Sequence, residues 1–389
     1  MMAKWFDRLR GGQSRASGET KMAGAQTLFT LSPLGLGAGP RKGFAALAGE
    51  GFGRNAVVYR CVRMVAENAA RVPLEVRDGE NVLTEHPLLS LLARPNRRQD
   101  GKALLERVFI YLQLAGNAYL DAAIVDGAVK GVFGLRPDRM AVIAGRDGWP
   151  IGYAYTAGGK TQRLMLDTEP VPRVLHLSLF DPLDDHYGMA PLSAAQASLE
   201  THNAATSWNR ALLENAARPS GALVYNAAAG NLSEEQYQRL KTELEQGFTG
   251  ALNAGRPMVL EGGLDWKSIA LTPRDMDFLE AKSAAAREIA LAFGVPPMLL
   301  GIPGDNTYAN YAEASRALWR QTVIPLVTSV CAALTHWLSP AFDGVELVPD
   351  FDVIEALAAD RAMDWQRVGS ADFLTDDEKR EMLGFGKNR

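Results

Sequence analysis

The stretch from Pro273 to Leu338 constrains this chain most, because it joins two apolar helical patterns through residues that cannot continue a helix. In its first half, apolar or small residues recur at steps of three and four, as on one face of a helix packed against other helices. They are Met276, Leu279, Ser283, Ala286, Ala290 and Phe293. Gly294 and the pair Pro296-Pro297 should end this helix, since glycine favours the position after a helix end and proline cannot continue one.

The segment Ile302–Asn310 that follows is rich in turn-forming residues, and a helical pattern resumes at Ala312. A loop between two helices is therefore predicted. Four residues are expected to position it, namely Gly294, Pro296, Pro297 and Gly301.

Composition bounds the class of protein. The chain has 389 residues, of which 47% are hydrophobic and 22% charged, so two or three folding units with substantial cores are expected. The net charge of −4 gives no global basic excess of the kind that accompanies tight nucleic-acid binding. Cys61 and Cys331 both lie in apolar helical patterns and are expected to be buried free thiols in a reducing compartment.

Two windows without charged residues, Met22–Pro40 and Gln321–Phe342, bear on membrane insertion. The first is interrupted by glycines and prolines. The second contains Pro325, His336 and Pro340, which favours a buried helix in a larger assembly over a transmembrane span. No membrane association and no export signal are expected.

The first half of the chain predicts an α+β domain. Residues 1–50 lack periodicity and are expected to form a flexible arm. A helix is predicted from Asn55 to just before Pro73, and another over Gly101–Leu114. Two hairpins, turning at Asp126-Gly127 and Gly158-Gly159, and the apolar strand Val174–Phe180 complete this domain.

The second half predicts two long helices, Pro191–Ala216 and Pro273–Phe293, whose ends meet at a small βαββ insert. The insert has strands near Ala222–Tyr225, Pro257–Leu260 and Trp266–Leu271, with a capped helix between the first two. In the tail, Thr375 and Glu378 form a capping-box pattern before a short helix that stops at Gly384.

Enzymatic motifs are weak. Residues 154–161 are a relaxed match to a phosphate-binding loop, but the residues after Lys160 alternate as in a strand, which favours a hairpin turn. The cluster Asp181, Asp184, Asp185 and His186 is the densest acidic group and is interpreted as a solvated connector. The other histidines stand singly and are expected to be structural. No catalytic residue, metal or cofactor is predicted.

Several short segments carry a resemblance to a known family. They are Gly116-Asn-Ala-Tyr119 followed by Leu135-Arg-Pro137, Gly188-Met-Ala-Pro-Leu192, Leu260-Glu-Gly-Gly-Leu-Asp-Trp266, Phe293-Gly-Val-Pro-Pro-Met-Leu-Leu-Gly301 and Leu374-Thr-Asp-Asp-Glu378. Each is weak alone, but their order is that of the family. Through them the chain, from about Asn55 to Gly384, resembles the portal proteins of long-tailed double-stranded DNA bacteriophages and of phage-derived gene transfer agents.

The resemblance implies a ring of usually twelve copies at one capsid vertex, through which double-stranded DNA is packaged and ejected without sequence preference. It implies as partners the terminase large subunit, a head-tail adaptor and the major capsid protein. The protein would belong to a virion or phage-like particle assembled in the bacterial host cytoplasm.

The implied fold is α+β, with an arm (1–50), a wing (51–189), a stem helix (190–217), a small α/β clip (218–272), a second stem helix (273–294), a tunnel-loop region (295–311), a long wing helix (312–348) and a short helical crown (349–389). Asp305, Asn306, Thr307 and Tyr308 would touch passing DNA weakly in the tunnel loop. Pro325 is expected to kink the long helix, because proline removes one helical hydrogen bond.

The net charge of the chain is compatible with a channel for DNA. Twelve copies would carry about −48, and a negative field discourages DNA from sticking to the channel. Two alternatives remain open at this point. One is a nucleotide-dependent packaging ATPase that uses Lys160, and the other is a different ring-shaped head-tail adaptor, which would usually be shorter.

Overall fold

The computed structural model of the protein describes residues 44–79, 81–214, 221–225, 233–235, 238–239, 242, 264–268, 278–302 and 308–384. Within these ranges the strands are β1 Leu74–Asp78, β2 Asn81–Leu83, β3 Asn117–Val125, β4 Ala128–Leu135, β5 Met140–Ala144, β6 Pro150–Ala157, β7 Lys160–Met165, β8 Val174–Ser178, β9 Gly221–Tyr225, β10 Leu264–Ser268 and β11 Glu346–Pro349.

Helices in the same ranges include α1 Ala56–Ala69, α2 Pro87–Ala93, α3 Gly101–Ala115, α4 Pro191–Ala194, α5 Gln196–Glu214, α6 Phe278–Ala292, α7 Tyr308–Leu318, α8 Ile324–Leu338, α9 Ala358–Gly369 and α10 Asp376–Met382. A π-helical segment, Trp319–Val323, joins α7 to α8. Short 3-10 turns occur at Pro137–Arg139, Pro297–Leu300, Ser339–Ala341 and Glu355–Leu357.

The described strands form small antiparallel sheets, ordered β11-β1-β2, β4-β3-β8, β5-β6-β7 and β9-β10. The main core lies where α1, α3 and α8 meet, and Val62, Leu112 and Leu334 are almost wholly buried there. A second, smaller core joins the sheet of β5-β6-β7 to β3 through Tyr119, Met140 and Tyr153. Mixed helix and sheet, predicted from the sequence, is confirmed.

Local predictions in the first half are confirmed. The helix predicted from Asn55 is α1, and the structure adds that the side chain of Asn55 caps it by accepting the backbone N–H groups of Val57 and Val58. Asp126 and Gly127 both have positive φ in the turn between β3 and β4. Gly158 and Gly159 turn β6 into antiparallel β7. Because no helix follows that turn, residues 154–161 lack the strand–loop–helix geometry of a phosphate-binding loop.

Several elements differ from the sequence predictions. The predicted arm extended to residue 50, but residues 44–52 form helical turns in which Phe44 packs against Tyr111 and Phe52 against Tyr59. The range 312–348, predicted as the long helix, also contains β11, whose short apolar run pairs with β1. The elements β1, β2, α2, β5 and α9 were not predicted from the sequence. Residues 1–43 and the insert strand 257–260 lie outside the described residues.

The tail behaves as predicted. The Thr375 side chain and Glu378 form a reciprocal capping box at the start of α10, and Gly384 follows the helix with positive φ.

The segment from residue 310 to 341 is long and apolar enough, by length and composition alone, to cross a membrane. It is the one helix of this kind among the described residues, and core helices of soluble proteins pass the same test. Here Cys331, Leu334 and Trp337 face the main core, and the indole of Trp337 donates to the carbonyl of Pro172 (2.6 Å).

Two of the resembling segments touch each other. Asn117, almost completely buried, donates to the carbonyl of Gly188 (3.1 Å) and accepts the backbone N–H of Gly188 (2.8 Å). Its Oδ1 also lies 2.8 Å from Nε2 of His176. Burial lowers the pKa of His176 to about 4, so this imidazole is neutral at pH 7. These polar residues thus satisfy one another inside the fold.

Helices α5 and α6 pack as an antiparallel pair. Ser198 near the start of α5 bonds to Glu288 near the end of α6, while His202 one turn later lies beside Lys282. Asn55, at the start of α1, donates to Asn203 (2.8 Å) and contacts His202 (2.9 Å), which ties the pair to the main body. Strand β9 follows α5 in the sequence and strand β10 precedes α6, and these two strands are hydrogen-bonded to each other. The predicted two-helix arrangement around an insert is therefore confirmed where it is described.

Replacement of Gly116 by alanine should destabilise the fold strongly. Gly116 has φ of 69°, and an added Cβ would lie 2.3 Å from the carbonyl oxygen of Gly188. Gly127 has nearly the same φ, 71°, but no atom within 4 Å of an added Cβ. Gly127→Ala should therefore lower the free energy of unfolding only by the cost of placing alanine in the left-handed region, about 1–2 kcal/mol.

Gly116→Ala should lower the free energy of unfolding by more than Gly127→Ala does. Its added Cβ would also clash with backbone atoms, and no side-chain rotation relieves that clash. Urea unfolding followed by circular dichroism measures both free energies of unfolding. Equal losses in the two variants would contradict the close packing of Gly116 on Gly188.

Candidate functional site

The candidate site is the chain reversal between α6 and α7, which carries the predicted tunnel loop. Helix α6 ends in a Schellman motif. The N–H of Val295 donates to the carbonyl of Ala290 (2.9 Å) and that of Gly294 to the carbonyl of Leu291 (2.9 Å). Gly294 has φ of 62°, and both Ala290 and Val295 are buried, as the motif requires. The sequence prediction that Gly294 ends this helix is confirmed.

Gly294 is also fixed from the other side of the reversal. The hydroxyl of Thr322, on the π-helical segment, donates to the carbonyl of Gly294 (2.7 Å). A Cβ at Gly294 would lie 2.4 Å from the same hydroxyl oxygen. This contact joins the end of α6 to the helix that leaves the loop, 28 residues later. Sequence reasoning missed Thr322, which lies in an apolar run without any motif around it.

Pro296, Pro297 and Gly301 shape the next turn. Pro296 precedes and Pro297 begins a 3-10 turn that ends at Leu300, and Gly301 follows with φ of 72°. The N–H groups of Gly301 and Ile302 donate back to Met298 (3.1 Å) and Pro297 (3.3 Å). No atom lies within 4 Å of a Cβ added at Gly301, so only its conformation requires glycine.

Three of the four predicted loop residues, Asp305, Asn306 and Thr307, lie outside the described residues, as do Pro303 and Gly304. Tyr308 was expected in the loop, but it is the first residue of α7, four residues before Ala312, where the helical pattern was predicted to resume. The reason is that Tyr308–Asn310 contains no proline or glycine, so the helical pattern extends back through it. The segment between Ile302 and α7 is therefore only five residues long.

Pro325 lies in the first turn of α8, directly after the π-helical segment. The N–H of Ile324 reaches the carbonyl of Trp319, five residues earlier. Proline has no N–H to continue the usual pattern, and a π-helical turn rearranges the backbone bonding just before it. The sequence predicted a kink at Pro325, and the structure shows this local change of helix type, with helical backbone from Tyr308 to Leu338.

A buried carboxylate anchors the helix that leaves the loop. Asp360 on α9, whose side chain is only 12% exposed, lies 2.9 Å from Arg320 and 3.6 Å from Nε of Arg316. Arg316 also pairs with Glu313 (3.1 Å). The first two cations after the loop are therefore both held by carboxylates of this chain. Asp360 was not singled out from the sequence.

The acidic connector shows no metal-binding geometry. Asp181 accepts the N–H of Leu183 (2.9 Å), and Asp184 accepts those of His186 (2.9 Å) and Tyr187 (3.0 Å). These carboxylates thus cap turns. In the part of the chain that the structure describes, no three His, Cys, Asp or Glu residues form a potential metal site.

The thiols of Cys61 and Cys331 are buried and unpaired, as expected, and burial raises the pKa of each to about 12.

The model of a known protein family, described as phage portal protein, matches residues 56–384. The chain belongs to the phage portal protein family. The match covers the described residues from Ala56 to Gly384, including both ends of the reversal at Gly294. This agrees with the resemblance seen in the sequence.

Solved structures and a curated relative are similar to the chain. One such structure is the neck of an empty gene transfer agent (GTA) particle computed with C6 symmetry. A chain of that structure is 51% identical in sequence to this one, and the two align with a TM-score of 0.72 over 89% of this chain and 94% of that chain. The neck of a native GTA particle computed with C12 symmetry is 50% identical, with a TM-score of 0.70 over 90% of this chain and 95% of that chain. The portal protein of Enterobacteria phage HK97 is 24% identical over 83% of this chain and 77% of its own length.

Alanine substitutions at Gly294 and Gly301 should distinguish the cost of a positive φ, which both positions share, from the cost of a steric contact, which only Gly294 has. Gly301→Ala should lose about 1–2 kcal/mol of unfolding free energy, the ordinary penalty of the left-handed region. Gly294→Ala should lose clearly more, because its Cβ also meets the hydroxyl of Thr322.

The double variant Gly294→Ala/Thr322→Ala should lose less than the sum of the two single losses, since the clashing oxygen is gone. Gly301→Ala/Thr322→Ala, the matched control, should be additive. Denaturant unfolding of all five variants measures this. Additivity in both cycles would refute the proposed contact between Gly294 and Thr322.

Proposed function

We propose that this chain is the portal subunit in the neck of a phage-like particle, where copies of it form a ring through which double-stranded DNA enters and leaves. The observation that carries the proposal is the 50–51% identity, over about nine-tenths of the chain, to GTA neck structures computed with C12 and C6 symmetry. A twelve-membered ring fits both symmetries, because six-fold symmetry is a subgroup of twelve-fold symmetry. Closed rings of identical subunits use head-to-tail interfaces.

In this ring, residues 51–189 form the wing, α5 and α6 the stem, and the region of β9 and β10 the clip. The chain reversal at Gly294 directs residues 303–307 toward the bore as the tunnel loop. Residues 349–389 form the crown. Support comes from the antiparallel packing of α5 on α6 and from the hydrogen-bonded strands at the far ends of both helices.

Charge in these elements suits a channel along which DNA slides. Helices α5 and α6 together contain four acidic residues, Glu200, Glu214, Glu280 and Glu288, and three basic ones, Arg210, Lys282 and Arg287. The five residues 303–307 contain one acidic residue and no cation. Because Lys and Arg bound to phosphates hold DNA in place, a stem and loop without a cationic excess favour movement.

The nearest cations after the loop support the same interpretation. Arg316 and Arg320 both lie against Asp360, so their charges are already compensated within the chain. Only weak polar contacts, from Asp305, Asn306 and Thr307, are then offered to a passing backbone.

The clip end is proposed to meet the terminase large subunit during packaging and the head-tail adaptor afterwards, and the wing to meet the major capsid protein. The protein would then lie at the portal vertex of the capsid, in a particle that is assembled in the host cytoplasm. The energy for packaging would come from the separate motor, since residues 154–161 form a hairpin turn.

The role of the loop is tested by replacing Asp305-Asn306-Thr307 with Gly-Ser-Gly and leaving Tyr308 at the start of α7. The variant should still form rings, with a mass of about 505 kDa for twelve 42.1 kDa chains, by mass photometry. Particles carrying it should package or retain less DNA, because the polar loop contacts are gone.

A matched control replaces the exposed turn Arg146-Asp147-Gly148 with the same tripeptide, and should leave DNA content unchanged. Normal DNA content and titre in the loop variant would contradict the tunnel-loop role. A wild-type chain that stays monomeric at every concentration tested would contradict the portal proposal itself.

A further inference from the structure

Two large apolar side chains stand exposed on the connector that follows β8. Phe180 is 86% exposed and Leu183 is 93% exposed, three residues apart in the segment 180–187. We name this segment the apolar knob. Scattered single apolar residues are normal on protein surfaces, but a neighbouring pair at nearly full exposure indicates a contact with another molecule.

The knob is held firmly at both ends. The N–H of Leu179 donates to the carbonyl of Gly116 (2.8 Å), and Gly188 exchanges two hydrogen bonds with Asn117. Within the knob, Asp181 and Asp184 cap backbone N–H groups, and the hydroxyl of Tyr187 accepts the N–H of Val142 (3.0 Å). Because the backbone is already fixed, little conformational entropy is lost when Phe180 and Leu183 are covered.

An apolar groove opens at the other end of α3. Its volume is about 520 Å³, within the range that holds a ligand or several side chains. Leucines dominate its lining, among them Leu89, Leu92, Leu104 and Leu105. We name it the α3 groove.

The charges around the knob and the groove are complementary. Asp181, Asp184 and Asp185 flank the exposed side chains of the knob. Arg71 and Lys102, both exposed, lie in the lining of the groove. Asp100, which caps α3 through the N–H of Ala103 (2.7 Å), also lines the groove, so the three charged residues of the lining sum to +1. Opposite charges around two apolar surfaces favour their association in one register.

The two surfaces lie at opposite ends of one helix. The knob is bonded to Gly116 and Asn117, directly after the last residue of α3, while the groove includes Gly101, its first residue. A helix of 15 residues is about 22 Å long. A head-to-tail ring requires two different, complementary surfaces on each subunit, since each copy offers one surface to each neighbour.

We infer that the apolar knob of one copy docks in the α3 groove of the next copy around the ring. Phe180 and Leu183 fill the groove, and the knob aspartates face Arg71 and Lys102 of the neighbour. This inference rests on the proposed ring. The contact is one part of the interface between subunits, because a single loop buries less area than a stable interface needs.

Cross-linking in assembled rings tests the contact. In the variant Leu183→Cys/Lys102→Cys, a short bis-maleimide should join neighbouring chains and give a ladder of multimers on a denaturing gel. Both positions are exposed, and the native Cys61 and Cys331 are buried, so each single variant should stay at monomer mass. Trp149→Cys/Lys102→Cys, with Trp149 74% exposed on a different turn, is the matched pair and should give no ladder.

Rings are first verified by mass photometry, so that a failed ring is distinguished from a failed contact. Intact rings without a ladder would overturn the docking of knob in groove and leave the portal proposal standing. A cross-link confined to the monomer band, or an equal ladder from the matched pair, would also overturn it. As a second measurement, Leu183→Asp should lower the ring fraction at a fixed subunit concentration several-fold, whereas Trp149→Asp should not; equal effects would contradict the inference.

Discussion

The hydrogen bond from Thr322 to the carbonyl of Gly294 joins the two helices that flank the proposed tunnel loop. On one side it closes the Schellman turn of α6, and on the other it holds the π-helical segment that precedes Pro325. Each partner of this hydrogen bond lies where the backbone departs from regular α-helical geometry. Gly294 needs a positive φ and has no room for a Cβ, while the backbone before Pro325 cannot keep regular α-helical bonding. Through this contact a five-residue segment is held between two fixed ends.

Several arginines among the described residues pair with carboxylates of the same chain. Asp360 takes both Arg316 and Arg320, and Arg63 on α1 pairs with Glu67 and Glu106. The charges of Arg316 and Arg320, the first two cations after the proposed tunnel loop, are thus compensated within the chain. This compensation supports the proposal that DNA is contacted only weakly in the channel of a phage portal protein, because Lys and Arg bound to phosphates would hold it in place.

Sequence reasoning succeeded where one residue type dictates local geometry. Asp126-Gly127 as a turn, Gly294 as a helix end and the Thr375–Glu378 capping box follow from backbone chemistry alone. It failed where distant segments decide the outcome. Strand β11 exists because β1 accepts it, and Thr322, Asn117 and Asp360 matter through partners 28 to 71 residues away. Leu279, predicted on the packed face of α6, is 78% exposed in the single chain, since sequence periodicity does not say what covers a face.

The most direct test of the account is a cryo-EM reconstruction of the purified, assembled protein at side-chain resolution. The account predicts a closed ring in which residues 303–307 line the narrowest part of a central channel, with α5 and α6 forming the wall below them and Thr322 bonded to Gly294 in every subunit. A ring whose bore is lined instead by the β5-β6-β7 sheet, with residues 303–307 on the outer surface, would contradict it.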